Sequence, residues 1–238
     1  MWPWPSKDCP LDAVTRQWVE HRWRWLIDEF GGDLLLDSPN VLPTPEFFPE
    51  RYDRDDDSVI VLGRRVCQYM CVSEDMVDFE FYSEADRPML VNERGQMIGG
   101  VAGTFAEGSR FTIRIERRQF DSPMELVGTL AHELSHARLL GDNRIDPEVF
   151  DHELVTDLSV VFHGMGVFLA NIPRHWDSDT RRWPGTGQAA PTYMTAAMFG
   201  YALATRSCQR MEPLPSWRKH LKPGVRAEFK QAYRFLSR

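Results

Sequence analysis

Between Ser122 and Gly141 the sequence is punctuated as a single helix. Ser122-Pro123-Met124-Glu125 combines a capping residue, a proline and a glutamate three positions after the serine. This order reads as a capping-box start with proline at the first helical position. Gly141 supplies the stop. The run from Leu126 to Leu140 contains His132-Glu133-Leu134-Ser135-His136. A helix turns once per about 3.6 residues, so His132 and His136 project from one face. Two neutral imidazoles placed that way can bind one zinc ion, and Glu133 beside them can take a proton from a metal-activated water. The competing reading is two histidines on an ordinary helix.

A tetrahedral zinc with two histidines still needs one protein ligand and a water. Downstream, Asp151-His152-Glu153-Leu154-Val155-Thr156-Asp157 opens another apolar helical run. Glu153 and Asp157 are four apart and share a face. Glu153 can complete the metal set, and Asp157 can accept a hydrogen bond from the outer nitrogen of a ligating histidine. The alternative is a solvated helical face. Leu154, Val155, Leu158, Val160, Val161 and Phe162 leave little room for one, and carboxylates embedded in such a helix need partners.

HExxH followed by ExxxD resembles the gluzincin branch of the zinc metallopeptidases, over about residues 122–170. The resemblance implies His132, His136 and Glu153 as zinc ligands, Glu133 as general base and Asp157 as support for a histidine. It also implies a sheet-edge strand just upstream that pairs with the substrate backbone. Gly99 to Phe105 is the candidate, with Val101, Ala102 and Gly103 at its centre; a glycine-rich structural strand is the equal alternative. A donor for the developing oxyanion is implied as well. Tyr201, on a helix expected over about 192–210, is the first choice, and Tyr193, His175 and Arg174 are also available. Arg138 stands where the extended family motif prefers an apolar residue, and the gap from His136 to Glu153 is short, as in a compact or divergent member. The whole chain also resembles a group of bacterial zincin-motif proteins with no established substrate.

The rest of the sequence supplies the frame. Leu11, Val14, Trp18 and Trp25 recur at helical spacing over about 10–30, with Trp23 and Ile27 widening the apolar face and Gly31-Gly32 ending it. This tryptophan stripe reads as core. Pro39, Pro43, Pro45 and Pro49 make 37–57 an irregular connection. Ser58 is expected to cap a helix reaching about Cys71, buried through Val59, Leu62, Val66 and Met70. Val77, Phe79 and Phe81 alternate as a strand does; Gly99 to Phe105 reads as a second strand and Glu107-Gly108-Ser109 as a turn. Phe111, Ile113 and Ile115, alternating with Thr112, Arg114 and Glu116, read as a third strand. After Ser122 every signal is helical. Gly164 and Gly166 are expected within the second metal-site helix, allowing close packing, and His152 and His163 in plain structural roles.

The predicted fold is α+β and zincin-like: a small mixed sheet on the HExxH helix, with a mainly helical C-terminal part. It is read as one domain over 1–238, made of 1–57, 58–121, 122–171 and 172–238. The formal charge of −7 argues against a whole-surface nucleic-acid binder. Residues 206–238 hold nine Lys/Arg and two Asp/Glu, so a tail of +7 follows a body of −14. Leu221, Val225, Phe229, Tyr233 and Leu236 give that tail a buried side, so it is expected to dock on the acidic body. No segment reads as a membrane span, the start has no signal layout, and the chain reads as cytoplasmic. The four cysteines read as reduced thiols. The expected function is zinc-dependent peptide-bond hydrolysis, with one zinc ion and a peptide or protein substrate, no specific nucleic acid and no membrane. The rivals are a non-catalytic zinc-holding regulatory module and a protease dedicated to one intracellular partner.

Overall fold

The computed structural model describes residues 8–83, 101–105, 110–172 and 182–238. They fall into two compact units, one of Pro43–Asp146 and one of Met1–Leu42 with Pro147–Arg238. The first, a sheet unit, carries the HExxH helix, and the second, a helical unit, carries ExxxD. The architecture is mixed α+β, with a small sheet and mostly helical content.

The helical unit begins with α1 (Ala13–Phe30) and the short α2 (Gly32–Asp37). Asp12 caps α1, accepting the N–H groups of Val14 and Thr15 at 2.9 and 3.1 Å. In the sheet unit, α3 spans Asp56–Tyr69. Its cap is Asp55, not the expected Ser58. The Asp55 carboxylate accepts the Ser58 N–H at 2.9 Å, and the Ser58 hydroxyl accepts the Asp55 N–H at 3.2 Å. Starting the helix three residues earlier brings Asp56 and Asp57 into its first turn, where negative charge suits the exposed N–H groups.

The sheet has three strands: β1 (Val77–Tyr82), β2 (Val101–Phe105) and β3 (Phe111–Glu116). β3 is central. β1 runs parallel to it, from Val77 opposite Phe111 to Tyr82 opposite Glu116, and β2 runs antiparallel, from Val101 opposite Ile115 to Phe105 opposite Phe111. The alternation of β3 does not carry over into burial. Thr112 and Glu116 are buried along with Phe111, Ile113 and Ile115, because a middle strand is flanked on both edges and covered on its faces. Arg114 stays half-exposed and pairs with Glu80 of β1 at 2.8 Å. The stretches carrying Gly99, Gly100 and the expected 107–109 turn lie outside the described residues.

α4 (Pro123–His136) packs against β2 and α3. In the helical unit, α5 (His152–Phe162) is buried throughout Leu154–Phe162 and packs against α1, α6 (Gly166–Leu169) and α7 (Ala196–Gln209). A helix apolar around nearly its whole circumference can only be an interior element. Gly164 and Gly166 lie beyond α5 and not within it. Gly164, with φ of +87°, would bring a Cβ within 2.0 Å of the Pro39 carbonyl oxygen. Its own carbonyl accepts the Val41 N–H at 3.0 Å.

The basic tail is packed as a helix, through shape and apolar contact, on an element that carries no acidic residue. α8 (Pro223–Leu236) lies against α7 and buries Val225, Phe229 and Ala232. At Gly200 a Cβ would meet Glu228 Cβ at 2.6 Å and the Phe229 nitrogen at 2.7 Å, so the two helices touch at backbone distance. One tail charge is not on the surface at all. Arg206 is fully buried and donates to Leu35 O, Ser38 O and Ser38 Oγ at 3.3, 2.8 and 2.8 Å. It thereby closes the C-terminal end of α2, where carbonyls lack helical partners. All four cysteines are free. Among the described residues no helix is long and apolar enough to cross a membrane.

Candidate metal centre

α4 starts where expected but by other means. Pro123 takes the first helical position, yet the Ser122 side chain makes no capping hydrogen bond and the expected box with Glu125 does not form. Ser122 instead contributes its carbonyl, which accepts the Leu126 N–H at 2.9 Å. Leu126, Leu130 and Leu134 are buried to 1% exposure or less. Each such leucine is worth roughly 1.5–3 kcal/mol in apolar burial, enough to hold α4 in place with a weak cap.

One turn apart on α4, His132 and His136 turn their rings edge to face, with centroids 4.8 Å apart and planes at 89°. Their Nε2 atoms lie 3.2 Å apart. Two nitrogens, each about 2.0–2.1 Å from a tetrahedral zinc, would stand about 3.3 Å from each other. The pair therefore already has the spacing at which two imidazoles share one ion. Glu133, the next residue after His132, is 9% exposed and His132 7%. After His136 the helix widens into a π-helical turn over Ala137–Gly141, with the Ala137 N–H shared between the Glu133 and Leu134 carbonyls. Gly141 closes that turn, so the expected stop falls in the right place. Arg138 lies within that turn. Its guanidinium reaches out to the Cys71 carbonyl at 2.5 Å, just past the end of α3, where a cation is favoured.

β2 is paired with β3 through Val101, Ala102 and Gly103, which stand opposite Ile115, Arg114 and Ile113. Among the described residues its other edge carries no strand.

The remaining expected residues lie in the helical unit. Glu153 is the second residue of α5, and its carboxylate lies 3.3 Å from His152 Nε2. Asp157 is completely buried, and its Oδ2 accepts the Met194 N–H at 2.9 Å. Tyr201 is buried on α7 and donates its hydroxyl to Glu20 of α1 at 2.8 Å. Burial, then the hydrogen bond and charge of Glu20, push the Tyr201 pKa well above its ordinary value. His163 is buried, with Nδ1 2.8 Å from the Ser159 carbonyl, a local helix contact that suits a structural role. Arg174 and His175 lie outside the described residues.

Sequence reasoning passed over Asp151, although it stands two residues before Glu153. It is 1% exposed and accepts from Trp18 Nε1 at 2.7 Å and from Arg22 Nε and Nη2, both at 2.8 Å. The available signal was Trp18 and Arg22, one turn apart on α1, together with an aspartate at the start of an apolar helix. No family model, curated protein or solved structure matches the chain.

Proposed function

We propose that this chain is a zinc-dependent peptidase with a zincin-like arrangement, in which His132, His136 and Glu153 hold the metal and Glu133 is the general base. The observation that carries the proposal is the 3.2 Å approach of the two histidine Nε2 atoms on a buried helix that also carries Glu133. His132 and His136 on α4, with Glu153 on α5, are the donors of this proposed set. Two imidazoles and a carboxylate suit zinc, with a fourth position left for water or substrate. A bound divalent ion would serve as a Lewis acid and bring the pKa of water at that position close to neutrality.

The protein groups do the rest. Glu133 accepts a proton as water attacks the scissile carbonyl carbon, then returns it to the amine nitrogen as the C–N bond breaks. β2 offers backbone N–H and C=O groups along Val101–Gly103 to an extended peptide. Asp157 braces a ligating histidine in this scheme. For Tyr201 to serve as oxyanion donor, its hydroxyl would have to leave Glu20, to which it donates at 2.8 Å.

The test is Glu133→Gln alongside the unmodified chain, with zinc content and newly formed protein termini measured for both. The proposal expects one zinc in each and cleavage only in the unmodified chain. Equal cleavage by both would remove Glu133 from the mechanism. Zinc retained without any turnover would identify a metal-holding binding module instead.

A further inference from the structure

Asp151 sits at the N-cap of α5, where an aspartate ordinarily turns its carboxylate onto the first free N–H groups of the helix. Here the side chain makes no capping hydrogen bond. Both carboxylate oxygens are turned to α1. Arg22 grips them as a two-pronged donor, Nε to Oδ2 and Nη2 to Oδ1, both at 2.8 Å, and Trp18 Nε1 adds a third bond to Oδ2 at 2.7 Å. The charge is 1% exposed, and a buried carboxylate held by a fork of this kind has little freedom to rotate or shift. The donors are themselves fixed. The Trp18 ring packs on Trp183 at 5.6 Å between centroids, Trp183 meets Phe150 at 6.0 Å, and the Arg22 guanidinium lies 5.6 Å from the centre of the Trp25 ring.

A fold gives up a local cap where something else is gained, and such departures from local preference concentrate at functional positions. The gain here is positional. Asp151 contributes its carbonyl to the first turn of α5, accepting the Val155 N–H at 2.9 Å, and Glu153 lies within that turn. We infer that Trp18 and Arg22, acting through Asp151, are positioning residues for the metal centre: they lock the first turn of α5 so that Glu153 is presented as a ligand in one fixed orientation. The inference rests on the proposed metal set. It assigns α1, which contributes no ligand, a direct influence on metal affinity.

Two variants test it in the full chain. Asp151→Asn keeps the shape but loses the charge that Arg22 grips, and Trp18→Phe keeps the ring packing but loses one hydrogen bond. Zinc affinity is measured by competition with a chromophoric chelator, and the melting temperature of the metal-free chain is measured in parallel. Groups that orient metal ligands typically change affinity by about 10–100-fold. Asp151→Asn is expected in that range and Trp18→Phe at roughly its lower end. A purely structural role would lower the melting temperature and leave the zinc affinity of the folded chain unchanged. Wild-type affinity in folded Asp151→Asn overturns the inference, and if that variant does not fold, wild-type affinity in Trp18→Phe does so. An unmodified chain that binds no zinc removes the metal reading itself and the inference with it, a result distinct from intact binding in all three proteins.

Discussion

His132 Nε2 and His136 Nε2 stand 3.2 Å apart, one turn from each other on α4. Two ring nitrogens at that distance either share a proton or share a cation. The proposed metal site turns the second option into a stability effect. A ligand present at about 1,000 times its dissociation constant stabilises the folded state by about 4 kcal/mol. Stripping zinc with a chelator should therefore lower the melting temperature of the unmodified chain. His136→Ala should melt at the same temperature with or without chelator, and a chelator response equal to wild type in that variant would contradict the ligand set.

Asp55 gives α3 a dependence on acid. Its hydrogen bonds from the Ser58 backbone and then the Ser58 hydroxyl hold its pKa below the ordinary 3.8. A carboxyl with a depressed folded-state pKa stabilises the fold above its unfolded value and loses that contribution as pH falls through the folded value. The contribution should thus be intact at pH 5 and disappear progressively below about pH 4. Asp55→Asn keeps a side-chain acceptor at the cap but has nothing to titrate. Denaturant midpoints measured between pH 5 and pH 2.5 should fall less steeply for Asp55→Asn than for the unmodified chain.

Arg206 carries a heavier load than a tail cation would. Burial, then the neighbouring Arg210, lowers its pKa from the usual arginine value, while Glu212 acts in the opposite sense. It stays charged and answers the carbonyls of Leu35 and Ser38. Arg206→Leu removes those donors and leaves Leu35 O and Ser38 O to Arg210 Nη1, which already reaches both at 2.8 and 2.9 Å, so the change should cost about 1–3 kcal/mol. Arg206→Lys should recover only part of it, because an ammonium cannot reproduce the fork. Urea unfolding of the three proteins measures both differences.

What was legible in the sequence was local. His132 and His136 were placed on one helical face because the helix period alone decides that, and Phe111, Ile113 and Ile115 marked a strand because alternation alone decides that. The Asp55 cap was missed because Ser58 is also a good capping residue and the choice depends on which start brings more acid to the first turn. The Asp151 clamp was not legible, since its partners lie 133 and 129 residues away. Burial of Arg206 was not legible either, because nothing in residues 206–238 announces that the α2 carbonyls need a donor.

The four thiols should separate sharply in reactivity. Cys67 is buried on α3, and burial, then the charge of Glu74, pushes its pKa up to about 12. The thiolate is the reactive form, so at pH 8 this residue is both shielded and protonated. Cys71, four residues on, is exposed just beyond the end of the same helix, with φ of +55°. Burial also raises the pKa of Cys9 and Cys208, which are half-buried. Alkylation at pH 8 followed by mass mapping should therefore modify Cys71 first, Cys9 and Cys208 more slowly, and Cys67 last. Adding denaturant should abolish the order, because all four then approach the ordinary thiol value of about 8.5. Rapid labelling of Cys67 in the folded chain would mean that α3 opens locally far more often than its buried Val59, Val66 and Met70 allow.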